Sequence, residues 1–279
     1  MLLTSSRNGT DPAEHPLELS SDEMRSLVDA AMERIVPHIA TLPEQPSADT
    51  EGAEALARSL VEPMPETGQP HEELIDLLFD RLLPKSFNTA GPGYLAYIPG
   101  GGLFHSAVAD LLADSFNRYT GVFAAAPALA QLEANVIRWF AEIVGYPPAA
   151  RGILTPGGSL ATLTGLVTAR IVKLGDRFGD GTIYASDQSH HSVLKAAILS
   201  GFPTGNVRQI PSDERRRIRL DLLEEAIVRD RAAGLRPFLI NGNAGTTNTG
   251  AIDPLGPLAD IARQHDLWLH IDGAYGGFF

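Results

Sequence analysis

Cysteine is absent from this 279-residue chain, which excludes disulfides, thiolate metal centres and cysteine nucleophiles together. Positive charge is scarce as well: 22 Lys and Arg against 34 Asp and Glu leave a formal net charge of -12. That balance argues against a broad phosphate-neutralising surface for nucleic acid, and the one basic run, Arg215 to Arg219, reads as a solvated connection. Lysine is the scarcest of the charged residues, with only Lys85, Lys173 and Lys195. No apolar stretch approaches the roughly 18 residues that span a bilayer, and residues 1–20 lack the basic start and apolar core of a leader, so the expected location is cytoplasmic.

What is present is an ordinary globular composition, 44% hydrophobic, sufficient for one large α/β domain or two smaller ones. After a polar lead-in, a helical stripe of Met24, Leu27, Val28, Ala31 and Ile35 begins at Ser21 or Asp22 and is expected to stop near Pro37. A Pro-, Glu- and Ala-rich connector follows, with a short helix around Ala53 to Leu60, then a second amphipathic helix from His71 to Leu83 ended by Pro84. Further helices are expected at about Phe104 to Phe116 and Pro127 to Val144, with Pro127 at the first helical position. From Gly152 the rhythm changes. Short apolar runs at Thr182 to Ala185, Val207 to Ile210, Phe238 to Ile240 and Leu267 to Ile271 alternate with helical stretches at Leu160 to Leu174, Ser192 to Leu199, Asp221 to Ala232 and Pro257 to His265. This alternation predicts an α/β fold with a mainly parallel sheet flanked by helices. Asp221 with Glu224 three residues on predicts a capped helix start. The expected organisation is an N-terminal lead-in and helical segment over 1–90, followed by a partial α/β domain over 91–279.

Four polar segments follow or precede these elements where a parallel sheet presents its ligand edge. Thr155-Pro-Gly157-Gly158-Ser159 stands before a helix, where backbone N–H groups can cradle a phosphate; no Gly-Lys-[Ser/Thr] or Gly-x-Gly-x-x-Gly is present. Ser186-Asp-Gln-Ser-His190-His191 follows a strand, and an imidazole there could ligate metal, act as a base or stack on a planar ligand. Adjacent positions make a poor chelating pair, so metal is discounted. Asn243-Ala-Gly245-Thr246-Thr247-Asn-Thr-Gly250-Ala-Ile-Asp253, again directly after a strand, offers hydroxyls and amides in a loop. Asp272 closes the last apolar run before Gly-Ala-Tyr-Gly-Gly277, as a group presented to a ligand or as a cap of the following turn. A planar, phosphate-bearing cofactor with a protonatable ring nitrogen would use all four. The glycines Gly100, Gly101 and Gly102, after an apolar run, mark a mobile loop or a close backbone approach.

Taken together, Gly-Tyr-Leu-Ala-Tyr97-Ile-Pro99, Thr-Pro-Gly-Gly158-Ser159-Leu-Ala, Ser-Asp-Gln-Ser-His190, Gly-Thr-Thr247 and His270-Ile-Asp272-Gly-Ala274-Tyr-Gly-Gly resemble the pyridoxal-phosphate-dependent group II decarboxylases, the aromatic-L-amino-acid decarboxylase family. The resemblance implies the fold type I architecture, a large domain around a seven-stranded sheet, a smaller C-terminal domain, a homodimer, and pyridoxal 5'-phosphate as cofactor. It implies that Gly158 and Ser159 hold the phosphate, that His190 stacks on the pyridine ring, that Thr247 and Ala274 contact the cofactor, and that Asp272 pairs with the protonated ring nitrogen. His190 and Asp272 would then be the catalytic pair, with Tyr97, Pro99 and Gly100 on the substrate side. Ile98 and Gly100 depart from the residues of aromatic-specific members, and Leu160 stands where many relatives carry an acid. The family's Schiff-base lysine follows the Asp272 motif by some thirty residues and so falls after Phe279, which leads us to expect a truncated form without the C-terminal domain. The competing expectations are a fold type I aminotransferase or aldehyde-forming relative, and a catalytically silent oligomerisation partner.

Overall fold

A computed structural model describes residues 18–95, 97 and 100–279. The chain forms two compact units, Met1–Ala109 and Asp110–Phe279.

In the first unit, α1 (Ser21–Ala40) opens with a reciprocal cap: the Glu23 N–H donates to the Ser20 hydroxyl at 3.3 Å, and the Ser20 N–H donates to the Glu23 carboxylate at 2.7 Å. The helix does not stop at Pro37 but runs one turn further. A proline this close to the end forfeits a single intrahelical bond, and Thr41 repairs the terminus by donating its N–H and its hydroxyl to the Pro37 carbonyl at 3.0 and 2.8 Å. Helix α2 (Ala53–Ser59) matches the short helix expected in the connector. α3 (His71–Asp76) continues as a π-helical stretch, Leu77–Leu82, and a closing 3-10 turn, Leu83–Lys85. Lys85 is engaged by Asp49 at 2.8 Å. The boundary between units falls within α4 (Phe104–Phe116).

The second unit holds α5 (Pro127–Ile143), with Pro127 in its first turn, and α6 (Gly158–Leu174). Strand and helix then alternate: β1 (Gly181–Ser186), α7 (Ser192–Leu199), β2 (Val207–Ile210), α8 (Leu220–Ala232), β3 (Arg236–Asn243), α9 (Leu255–Gln264) and β4 (Trp268–Asp272). All pairings are parallel, in the order β2-β1-β3-β4. This is the expected α/β layer structure, and the strand periodicity sorts the core into two halves. Ile183, Ala185 and Leu239 face α6 and α7, packed with Leu166, Ala169, Val193 and Ala197. Tyr184 and Ile240 face α8 and α9, packed with Leu223, Ile227, Leu258 and Ile261. β1 is buried over its whole length, as a strand covered on both faces must be.

Two sequence expectations are corrected. Helix α8 has no side-chain cap: its N-cap is Arg219, and the Asp221 carboxylate is taken by the Arg219 guanidinium, which leaves no capping box with Glu224. Strand β3 is longer than its apolar run, because Asn241 and Asn243 extend it in register with β4, so Asn243 belongs to the strand and not to the loop.

Candidate active site

Because the sheet is parallel, the segments leaving β1, β3 and β4 emerge at one edge. Specific contacts join them there. A Cβ on Gly158, at the start of α6, would lie 3.5 Å from the Cβ of Ala274, just past β4. The Asn243 side-chain amide donates to the hydroxyl of Ser189, in the turn after β1, at 3.0 Å. Asn243 in turn is the register partner of Asp272. A Cβ on Gly245 would meet the Tyr275 ring at 2.9 Å, so the loop after β3 lies directly on the turn after β4. The polar segments singled out from sequence therefore converge.

The start of α6 has the properties of an anion site. No side chain caps it, so the first N–H groups, at Gly158 and the exposed Ser159, point out of the helix. The preceding Gly157 sits at φ 142° and ψ 165°, a region open essentially to glycine alone. Gly157, rather than Gly158, is thus the residue whose conformation demands glycine.

His190 is half-buried, and its Nδ1 accepts the Ser192 N–H at 3.2 Å, which places the proton of the neutral ring on Nε2. Its ring centroid is 4.0 Å from that of His191, at an interplanar angle of 45°. Both histidines precede α7, which begins only at Ser192. His191 is exposed, and the neighbouring His190 and Lys195 charges hold it below the ordinary imidazole range.

Asp272 is half-buried at the end of β4, and its Oδ1 accepts the Ala274 N–H at 3.1 Å. The turn-cap and ligand readings are therefore compatible: one oxygen caps the turn, and the other has no partner among the described residues. His270, on the same face of the strand, is held below the ordinary imidazole range by burial, with Asp272 opposing. Its Nδ1 lies 2.8 Å from where a Gly165 Cβ would be, so Gly165 lets α6 approach β4 closely. In the loop after β3, Thr246 is 1% exposed with its hydroxyl 2.6 Å from that of Thr249, whereas the half-buried Thr247 hydroxyl is uncommitted among the described residues.

Tyr97 and Gly100 belong to the other compact unit; Tyr97 is exposed, at φ 60°, and a Cβ on Gly100 would meet nothing within 4 Å among the described residues. Pro99 lies outside the described residues. Asn243 and Asp253, expected in an open loop, belong instead to a buried polar ladder with Asn241, at 2%, 2% and 0% exposure, and Asn241 was not singled out from sequence. The signal was available: two asparagines at a spacing of two, continuing an apolar strand, share one face of it.

The family model described as the pyridoxal-dependent decarboxylase conserved domain matches residues 54–279. The chain belongs to this decarboxylase family. An aromatic-L-amino-acid decarboxylase of Bacillus atrophaeus is 37% identical over 260 residues, covering 93% of this chain and 54% of the relative. The crystal structure of Rhodiola rosea 4-hydroxyphenylacetaldehyde synthase matches with a TM-score of 0.86 at 28% identity, covering 94% of this chain and 58% of that one. That of Oryza sativa TDC with PLP and tryptamine matches with a TM-score of 0.85 at 28% identity, covering 93% and 56%. The chain thus spans about half the length of the curated relatives it matches.

The donor set at the sheet edge fits the cofactor of a pyridoxal-dependent family. An uncapped helix start suits a phosphate, a half-buried imidazole whose Nδ1 is engaged by the Ser192 N–H suits a ring face, and a carboxylate with one oxygen unpartnered among the described residues suits a protonated ring nitrogen. Among the described residues, no helix is long and apolar enough to cross a membrane.

Proposed function

We propose that this protein is a carboxy-lyase acting on an L-amino acid with pyridoxal 5'-phosphate, and that the sheet edge formed by β1, β3, β4 and the start of α6 holds the cofactor. The observation that carries this reading is the convergence of the α6 N-terminus, His190 and Asp272 on one edge within a chain of the pyridoxal-dependent decarboxylase family. Gly158 and Ser159 bind the phosphate through backbone N–H groups, and Gly157 supplies the backbone turn that exposes them. His190 lies against one ring face, Thr247 and Ala274 line the site, and Asp272 holds the proton on the ring nitrogen. When bound, the cofactor supplies an electron sink for the electron pair left as carbon dioxide departs. By the family resemblance alone, Tyr97, Pro99 and Gly100 are assigned to substrate recognition.

The proposal extends to a homodimer, supported by an apolar face on α5 where Leu132, Trp139 and Ile143 are more than half exposed, and to the cytoplasm, where amino-acid substrate is available. A second reading, an aldehyde-forming enzyme, is favoured by the likeness to Rhodiola rosea 4-hydroxyphenylacetaldehyde synthase, 30% identical over 278 residues. Both begin with loss of carbon dioxide, and the organic product separates them. Supplying purified protein with pyridoxal 5'-phosphate and carboxyl-labelled amino acids, and identifying the product, tests both: amine supports the first, aldehyde the second. Keto acid without carbon dioxide release would overturn both in favour of an aminotransferase.

A further inference from the structure

Beside His190 lies a run of polar side chains whose donors and acceptors can be assigned one after another from a single carboxyl group. Asp253 is 2% exposed and accepts only N–H groups: Ile218 N at 2.8 Å on Oδ1, and Asn243 N and Asn243 Nδ2 at 2.9 and 2.7 Å on Oδ2. A carboxylate that accepts three times requires the amide nitrogen of Asn243, not its oxygen, to face it. The Asn243 Oδ1 then accepts from Asn241 Nδ2 at 3.3 Å, which orients the second amide. Both amide nitrogens also reach the Ser189 hydroxyl, at 3.0 Å from Asn243 and 3.4 Å from Asn241. A serine oxygen has two acceptor positions and one proton. With both positions occupied by amide N–H groups, Ser189 has only a donor left, and that proton has no acceptor among the described residues.

We propose that Ser189 donates a hydrogen bond to the bound ligand, that Asp253, Asn243 and Asn241 hold it in that role, and that on a pyridoxal ring its acceptor is the ring hydroxyl oxygen. The inference rests on the cofactor reading above. With the phosphate at the α6 start and the ring nitrogen on Asp272, the oxygens at ring position 3 and on the aldehyde are the acceptors left on the cofactor. The ring hydroxyl, once ionised, gains most from a donor, because hydrogen bonds to a charged oxygen are about twice as strong as neutral ones. Ser189 would thus favour the ionised ring oxygen while Asp272 favours the protonated ring nitrogen, and the two groups together set the charge distribution of the ring. Asp253, Asn243 and Asn241 are positioning residues in this scheme.

The test uses 4'-deoxypyridoxine 5'-phosphate, which keeps the phosphate, ring nitrogen and ring hydroxyl but cannot react with an amine. Its ring hydroxyl titration is followed by absorbance while bound to the parent protein and to variants, with unfolding midpoints measured alongside. Ser189→Ala should move the bound titration up by about one pH unit, a tenfold change in the acid dissociation constant, and Ser189→Thr should restore it. Asn243→Leu should move it in the same direction by freeing the Ser189 hydroxyl to turn, and if that variant does not fold, Ser189→Ala alone decides. Tight binding to the parent with an unchanged titration in Ser189→Ala overturns this inference and leaves the cofactor reading standing. Failure of the parent to bind the probe at all overturns the cofactor reading and this inference with it.

Discussion

The sharpest prediction concerns the two adjacent glycines before α6, which the structure separates by role. Gly157 is held at φ 142° and ψ 165°, while a Cβ at Gly158 would make an ordinary 3.5 Å contact with Ala274. Forcing an alanine into the Gly157 conformation costs about 1–3 kcal/mol of strain, a sizeable share of a typical total stability of about 5–15 kcal/mol. Gly158→Ala meets no such penalty, and replacing a helical glycine recovers up to about 1 kcal/mol of propensity. The two single-methyl variants should therefore differ by about 1–4 kcal/mol, read from urea unfolding followed by far-ultraviolet circular dichroism. A third variant, Gly158→Val, adds a branched side chain over the exposed N–H groups and towards Ala274. If those groups hold the phosphate, each lost charge-assisted hydrogen bond should weaken pyridoxal 5'-phosphate roughly ten- to a hundredfold in an absorbance titration. Gly157→Ala matching the parent in stability would refute the strain argument. Undiminished cofactor affinity in a folded Gly158→Val would place the phosphate elsewhere.

Asp272→Asn keeps an oxygen for the Ala274 N–H and should fold normally, while decarboxylase turnover should fall by orders of magnitude; unchanged turnover sinks the assignment. Asp230, 4% exposed, joins three elements through Arg208 Nε at 2.9 Å and the Tyr184 hydroxyl at 2.8 Å, and Asp230→Ala should cost about 1–3 kcal/mol in chemical denaturation, because the Tyr184 hydroxyl keeps its Thr182 partner and the Arg208 guanidinium is partly open to solvent. Burial raises the Asp230 carboxyl, but the Arg208 and Tyr184 bonds together outweigh it and hold it below the usual carboxylate range. The folded value lies below the unfolded one, so this stabilisation is present above the unfolded value of about 3.9 and is lost as pH falls through the folded one. Asp230→Asn should accordingly flatten the acid limb of the stability curve, and an unaltered limb would show that other carboxylates govern it. Of the three lysines, Lys173 is paired with Asp266 at 2.7 Å and Lys85 with Asp49 at 2.8 Å, which leaves Lys195 as the one without an ion pair among the described residues. Borohydride reduction with pyridoxal 5'-phosphate should therefore spare Lys85 and Lys173, whose amines are engaged in ion pairs, and place any label among these three on Lys195; labelling of Lys85 or Lys173 ahead of Lys195 would refute that order.

The alternation of apolar runs and amphipathic stretches after Gly152 was enough to determine a parallel α/β layer, because a strand buried on both faces and a helix buried on one leave different periodicities. The polar residues at the strand ends were legible for the same reason: His190, Thr247 and Asp272 each interrupt or follow an apolar run where a core position could not hold them. What sequence could not supply is which residue in each segment bears the constraint. Gly157 and Gly158 are chemically identical, and only the backbone turn into α6 decides that the first must be glycine. Asp221 and Glu224 have capping spacing, but the Arg219 guanidinium, a neighbour in space as well as in sequence, competes for the carboxylate. The ladder from Asp253 to Ser189 joins residues 10 and 54 positions from Asn243, so its donor and acceptor order exists only once β3 lies between the loops. Local pattern determines elements, because propensity and periodicity act over a few residues; the direction in which a hydroxyl must donate is set by partners that only the folded sheet brings within reach.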